Sequence, residues 1–478
     1  MNPYLLQSQL QAYAASGLYP LHMPGHKRRV CPAPGLPYAW DLTEVPGVDD
    51  LHDADGILAD AMARTAALWG ARRSWYLVNG STCGILAAVR AAVMTRRSRV
   101  LLCARNCHKS AYHAIELNDL QVRWLMPDRD RAFGIYGSVS PTEVEAALRE
   151  YPDAAAVLLT SPTYEGALSD LERIAALCHA RGVPLLVDEA HGAHYLPLAA
   201  PYGWQGGAVA AGADLVIQSP HKTLPSLTQT ALLHLAGDAV PAEEVERQLD
   251  IFETSSPSYP LMASLDGCTG LLAAEGERWF AGWRQALDRF DEAIRPLRRL
   301  RVLCHGQDRA AGHPAIFTHD AGKLLIRGAG LTGAALADRL RTRFGLETEM
   351  SCGNCVLAMT SPCDAPDAAD RLAKALLVLD GEDPGGPDPV WTVLPDPGPA
   401  VCTIAEALRR PRTLLPEAQA AGRTAAEYLW AYPPGVPLIA PGERITEEFL
   451  ALTGALRQTG TRLHHTGGGD GQNIAVLT

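Results

Sequence analysis

The chain has 478 residues, too many for one ordinary hydrophobic core, so two or three domains are expected. It is 47% hydrophobic and 20% charged, the balance of a soluble globular protein, and a net charge of −11 leaves no basic excess to neutralise nucleic-acid phosphates. Its eleven cysteines are scattered and odd in number, which points to small buried residues in a reducing compartment rather than to a disulfide framework.

The opening MNPYLLQSQLQAYAASG has no basic stretch followed by an apolar run, so no signal peptide is expected. The apolar stretches are too short and too interrupted to span a bilayer. The expectation is therefore a cytoplasmic location with no membrane partner. Residues 1–70 pair an opening helix with Pro/Gly-rich loop and read as an arm that wraps over a larger body or a partner subunit. Residues 71–300 alternate short apolar runs with amphipathic stretches. Strands are predicted at Ser74–Val78, Val100–Cys103, Gln121–Leu125, Ala155–Leu159, Pro184–Val187, Leu215–Gln218 and Thr230–Leu235. Helices fall between them, at Cys83–Thr95, Pro141–Arg149 and Leu171–Arg181, and a long one follows over about 259–299. Such alternation predicts an α/β domain with a mostly parallel sheet. Residues 301–478 read as a smaller α+β region with a Pro/Gly-rich connector at 381–400.

Four features point to chemistry. Asp188, in LLVDEAHGAHY, ends an apolar strand, where α/β sheets present ligand groups. A carboxylate there can pair with a protonated ring nitrogen, or simply cap the next turn. Lys222, in VIQSPHKTLP, follows the next strand and suits a Schiff-base lysine; alone, a solvated lysine is the plainer reading. Asn79-Gly80-Ser81-Thr82 stands between a strand and a helix, where backbone N–H groups and hydroxyls can cradle phosphate or serve as an ordinary N-cap. His108, in ARNCHKSAYHAIEL, can stack on a flat ring or act as a structural loop histidine.

In this order the four features resemble fold-type I pyridoxal-phosphate (PLP) enzymes, and more narrowly the Orn/Lys/Arg decarboxylase family. The resemblance runs through HMPGHK (His22–Lys27), DLTEVPGVDDLH (Asp41–His52), NGST (Asn79–Thr82), RNCHKS (Arg105–Ser110) and SPTYEG (Ser161–Gly166). It continues through DEAHGAH (Asp188–His194), SPHK (Ser219–Lys222), TSSPSYPLMASLD (Thr254–Asp266) and YPPGVPLIAPGE (Tyr432–Glu443). It implies the short form of the family, without the N-terminal wing domain, similar to bacterial arginine decarboxylases. It further implies an aspartate aminotransferase-like large domain, PLP as cofactor, a homodimer or a higher homo-oligomer built from dimers with the active site at the dimer interface, and a place in polyamine biosynthesis. The implied roles are Lys222 as Schiff-base lysine, Asp188 on the pyridinium nitrogen and His108 stacked on the ring. Ser81, Thr82, Ser219 and His221 would hold the phosphate, with His191 near the phenolic side of the ring. The implied reaction is decarboxylation of a basic amino acid, arginine to agmatine first, with lysine or ornithine as alternatives. A cationic side chain needs acidic partners, and Glu165 and Glu443 are the candidates.

Other readings compete. KLLIRGAGLTG contains a G-x-G-x-x-G at Gly328, Gly330 and Gly333, with Glu347 and Glu349 downstream, as a dinucleotide-binding oxidoreductase requires. A strand-to-helix turn that needs glycine is the plainer account. Another PLP activity, an aminotransferase or lyase, is the alternative within the same chemistry. Cys352 and Cys355 form a CxxC without a second pair or nearby histidines, so no metal is expected.

Overall fold

The computed structural model describes residues 4–478 except 19–20, 25, 29–32, 34, 309, 387–395, 432–434, 459–461 and 471. Gly25 of HMPGHK, the middle of the 381–400 connector and Tyr432, Pro433 and Pro434 of the last motif thus lie outside the described residues.

Seven strands build the main sheet: β1 Arg73–Leu77, β2 Val100–Ala104, β3 Gln121–Leu125, β4 Ala156–Thr160, β5 Leu185–Glu189, β6 Leu215–Gln218 and β7 Ala231–Leu235. Their spatial order is β1-β7-β6-β5-β4-β2-β3. All neighbours pair parallel except β7, which runs antiparallel to both β1 and β6. The seven strands predicted from apolar runs are these seven, within a residue or two at each end. In β5, β6 and β7 every residue is buried, because helices cover both faces and no polar face is needed.

The helices of this layer are α1 Leu5–Ala15, α2 Ile57–Trp69, α3 Gly80–Met94, α4 Lys109–Leu117, α5 Pro141–Glu150, α6 Leu171–His179, α7 Pro220–Thr223, α8 Ala242–Phe252 and α9 Tyr259–Ala293. Gly84 lets α3 lie close on the sheet: a Cβ there would stand 2.7 Å from Leu77 Cδ1 and 3.0 Å from Ile217 Cγ2. The opening arm packs on the body. Leu6 and Leu10 of α1 are fully buried, and the Leu6 N–H donates to Asp266 Oδ2 of α9 at 3.0 Å.

A second sheet follows, β8 Arg301–Val302, β9 Lys323–Arg327, β10 Met350–Cys352 and β11 Cys355–Met359, in the antiparallel order β8-β9-β11-β10. Helices α10 Gly333–Phe344 and α11 Ala368–Glu382 accompany it. Residues 400–478 add α12 Ile404–Arg409, α13 Glu447–Gln458 and two small antiparallel sheets. The predicted smaller α+β region is therefore two layers of structure, one on either side of the connector.

The dinucleotide reading fails here on topology and on occupancy. β9 has antiparallel neighbours on both sides, so it opens no βαβ unit. The turn's Ala329 and Gly330 N–H groups donate to the buried Asp383 carboxylate at 2.9 and 2.7 Å, which fills the place a phosphate would need. A Cβ on Gly333 would lie 2.1 Å from Cys355 O, so that glycine serves close packing. Cys352 and Cys355 face one another across the β10–β11 hairpin, and no group of three metal-ligating side chains occurs among the described residues. Among those residues no helix is long and apolar enough to cross a membrane.

Candidate active site

The parallel strands deliver the predicted residues to one edge of the sheet. Asp188 is the fourth residue of β5, and its Cα pairs in register with Ile217 of β6. Five residues beyond Ile217, Lys222 stands in the short helix α7. His108 follows β2, and Ser81 and Thr82 follow β1. All these positions lie at C-terminal strand ends, where the sheet's loops gather.

The surroundings of each side chain explain its state. Asp188 is 4% exposed. Its Oδ1 accepts from the Ala190 N–H at 3.1 Å, so it does cap the next turn as well. Burial raises its carboxyl, and Lys222 and that N–H oppose the rise. Burial correspondingly lowers the Lys222 ammonium, while Asp188 and then Glu349 support it. His108 is the N-cap of α4. Its Nδ1 accepts from the Ser110 N–H at 3.3 Å and lies 2.8 Å from Ser110 Oγ. Burial and then the Lys222 charge bring it down to about 4, so it is neutral at physiological pH.

Helix α3 starts at Gly80 with Asn79 as its N-cap, so Ser81 and Thr82 belong to its first turn and are not the cap. That leaves their N–H groups among the orphan donors of a helix start. Ser219 Oγ is buried without a hydrogen-bond partner among the described residues. An orphaned hydroxyl at the mouth of α7, beside a helix start, fits the oxygen-rich end of PLP. His221 donates Nδ1–H to Thr230 O at 2.6 Å, which leaves Nε2 turned to other partners.

His191 and the acidic candidates have partners that the sequence did not announce. His191 is buried and lies 2.7 Å through Nδ1 from the Nζ of Lys323 on β9. Its ring centroid is 4.7 Å from that of Tyr164. Burial holds it well below the usual histidine range, with Lys323 and Lys222 adding to the fall. Glu443, expected to meet a substrate cation, already has one: its Oε2 accepts from Arg105 Nη2 at 3.1 Å and from the Ala440 N–H at 2.9 Å. Its Oε1 accepts from Trp124 Nε1 at 3.1 Å. Glu165 is half-buried in the SPTYEG loop; burial raises its carboxyl, and Lys323 acts against that. Glu349, read in the sequence as part of a fingerprint, is exposed and accepts from the Tyr164 hydroxyl.

Sequence reasoning missed Lys323, Tyr164 and the partnership of Arg105 with Glu443. The available signal for Lys323 was a lysine opening the apolar run KLLIR, an unusual start for a buried strand.

The family profile described as "Orn/Lys/Arg decarboxylase, major domain" matches residues 5–302, and that of the "Orn/Lys/Arg decarboxylase, C-terminal domain" matches residues 400–463. An arginine decarboxylase of Bacillus subtilis is 32% identical over 460 residues, 93% of this chain and 91% of its own length. The protein YaaO of the same organism is 34% identical over 472 residues, 94% of this chain and 93% of its own length. The constitutive lysine decarboxylase of Escherichia coli superposes with a TM-score of 0.79 at 22% identity, covering 99% of this chain and 82% of its own. The fold is that of the fold-type I PLP enzymes, with a mostly parallel central sheet and a smaller C-terminal part. Since both profiles match in order and the edge of the sheet carries the buried Asp188 and the half-buried Lys222, the chain belongs to the Orn/Lys/Arg decarboxylase family, whose members are PLP-dependent amino-acid decarboxylases.

Proposed function

We propose that this chain decarboxylates L-arginine to agmatine, with Lys222 as the lysine that carries PLP. The observation behind this reading is the buried Asp188 and the half-buried Lys222, which act on one another electrostatically at the C-terminal ends of adjacent parallel strands. PLP supplies, when bound, an electrophilic carbon for the substrate amine and a ring that takes up the electron pair left as CO2 departs. Asp188 would hold the ring nitrogen of bound PLP protonated, because a buried carboxylate beside a cation is more stable than one alone. His108 is fixed at the start of α4 by Ser110 and presents its neutral ring to the cofactor face. Ser81, Thr82 and Ser219 hold the phosphate. His221 joins them through Nε2 in its protonated form, which a neighbouring dianion favours, since Nδ1–H is committed to Thr230 O. Loss of CO2 is balanced by one proton taken up at Cα, for which Lys222 Nζ is the candidate donor.

Arginine as substrate is supported by the B. subtilis relative and by acids whose charges act on Lys222 and Lys323. Glu349 acts electrostatically on Lys222 and on Lys323, and Glu165 acts on Lys323. We assign Glu165 and Glu349 to the guanidinium, and give Glu443 a supporting place through Arg105. Lysine and ornithine have a compact ammonium instead of a planar fork and would use the same acids less fully. The functional unit is read as a cytoplasmic homodimer.

The test is the purified protein loaded with PLP and offered arginine, lysine, ornithine and neutral amino acids, with CO2 and amine scored. The expected result is CO2 and agmatine from arginine in equal amounts, and borohydride fixing the cofactor on the peptide that contains Lys222. A keto-acid product without CO2, or a preparation that takes up no PLP, overturns the reading.

A further inference from the structure

The motif DEAHGAH carries two histidines besides Asp188, and both meet one turn of the second sheet. His194 Nε2 lies 3.1 Å from Asp320 Oδ2, and His191 Nδ1 lies 2.7 Å from Lys323 Nζ. Asp320 and Lys323 close that turn through a Lys323 N–H to Asp320 O bond of 2.9 Å. Gly166 makes the approach possible. It has a φ of +103°, and a Cβ there would fall 2.8 Å from Lys323 Cβ.

Lys323 is an unusual partner for a histidine. It is 2% exposed, with Met359 Sδ 3.5 Å from its Nζ and the Tyr164 ring centroid 5.7 Å away. Burying an ammonium is costly, and a carbonyl is the commoner way to orient a histidine. His221 in the same site is held in that commoner way, through Nδ1–H to Thr230 O. The two arrangements have opposite consequences. In a neutral ring, a carbonyl on Nδ1 leaves Nε2 as a bare acceptor. An ammonium has donors only, so Nδ1 must accept and the proton must sit on Nε2.

We propose that Lys323 is a positioning residue of the reaction: its ammonium locks His191 in the Nε2–H tautomer, so that His191 serves the cofactor site as a hydrogen-bond donor and not as a base. The titration states agree. Burial keeps His191 neutral and brings Lys323 down only to about 8, so the lysine still holds its proton at neutral pH. The proposal rests on the PLP reading above.

The experiment uses the PLP-loaded enzyme and compares wild type, Lys323→Met, Lys323→Arg, His191→Asn and the double variant K323M/H191N. Methionine keeps the volume among Met359 and Tyr164. Lys323→Met is expected to shift the visible band of the bound cofactor and the pH midpoint of that band. It should lower kcat roughly 10- to 100-fold, as loss of an orienting partner does, with KM within about 2-fold of wild type. Arginine, still a cationic donor, restores the wild-type band. In the H191N background, adding K323M costs no more than about 2-fold. An unshifted band in K323M, or an equal loss of kcat with and without His191, overturns the proposal. H191N leaves Lys323 in place and covers the case of a K323M that does not fold: an unshifted band in H191N also overturns it. A wild type without a visible PLP band defeats the functional reading itself and is distinguished by that control.

Discussion

Asp188 and Lys222 respond to the same burial in opposite directions, one carboxyl raised and one ammonium lowered, and each partly restores the other. Their positions were legible because Asp188 closes one apolar strand, Lys222 comes four residues after the next, and each belongs to a short motif. Glu349 was legible only as a residue, not as a site, because its relation to Tyr164 spans 185 positions. Its carboxylate is exposed and carries a partner that is neutral, so its charge remains available to a substrate cation. Glu349→Gln should raise KM for arginine roughly 10-fold, the scale of one charge-assisted hydrogen bond, and leave kcat nearly unchanged. Steady-state kinetics across an arginine series check this. A fall in kcat at constant KM would place Glu349 away from the side-chain end of the substrate. Glu443 shows the limit of reading acids one at a time. Its motif was visible, but the cation that occupies it comes from Arg105, 338 residues earlier.

At the scale of elements, strand periodicity carried nearly all of the main sheet, since runs such as Leu185–Glu189 are buried on both faces and leave no ambiguity with a surface helix. The long helix ends at Ala293 rather than near 299; Pro296, a few residues past its end, cannot continue a helix. The glycine-rich turn at 328–333 deceived because its local spacing is that of a phosphate loop, whereas Asp383, more than 50 positions away, supplies the anion. The Gly385 N–H joins the same carboxylate at 2.8 Å. Asp383→Ala should therefore strand several partly exposed donors around a buried carboxylate and destabilise the protein by about 1–2 kcal/mol, read as a lower denaturation midpoint. PLP uptake should persist in that variant under native conditions, because the turn holds no cofactor.

Across the whole molecule, the main body and the second sheet are joined by buried charges that no local pattern announces. His313, 1% exposed, bridges Asp130 Oδ2 at 2.5 Å and Asp308 Oδ2 at 2.7 Å, and Arg301 closes on Asp308. The hydrogen bonds to Asp130 and Asp308 raise the imidazole from 6.5 to about 9. Because the folded value is the higher one, this stabilisation is complete below about pH 6.5 and lost as pH rises through about 9. His313→Gln should cost about 3 kcal/mol at the acidic end of that range, where two buried carboxylates lose their shared cation. The difference in melting temperature between wild type and variant should shrink steadily towards alkaline pH. A pH-independent difference would assign His313 a packing role only.

The turn from Asp320 to Lys323 also bears on how such a protein can be rearranged. Most residues of the cofactor-bearing edge lie before position 300, and that length invites a cut there and an exchange of everything beyond. The histidines of DEAHGAH forbid so simple a trade, for their partners lie on the far side of the cut. A chimera that keeps residues 1–300 and takes its remainder from a relative without an aspartate and a lysine at this turn would fold its sheet and still misaddress a proton. Inheritance of the two segments is thereby tied, and a crossover between them should survive only when both halves change together.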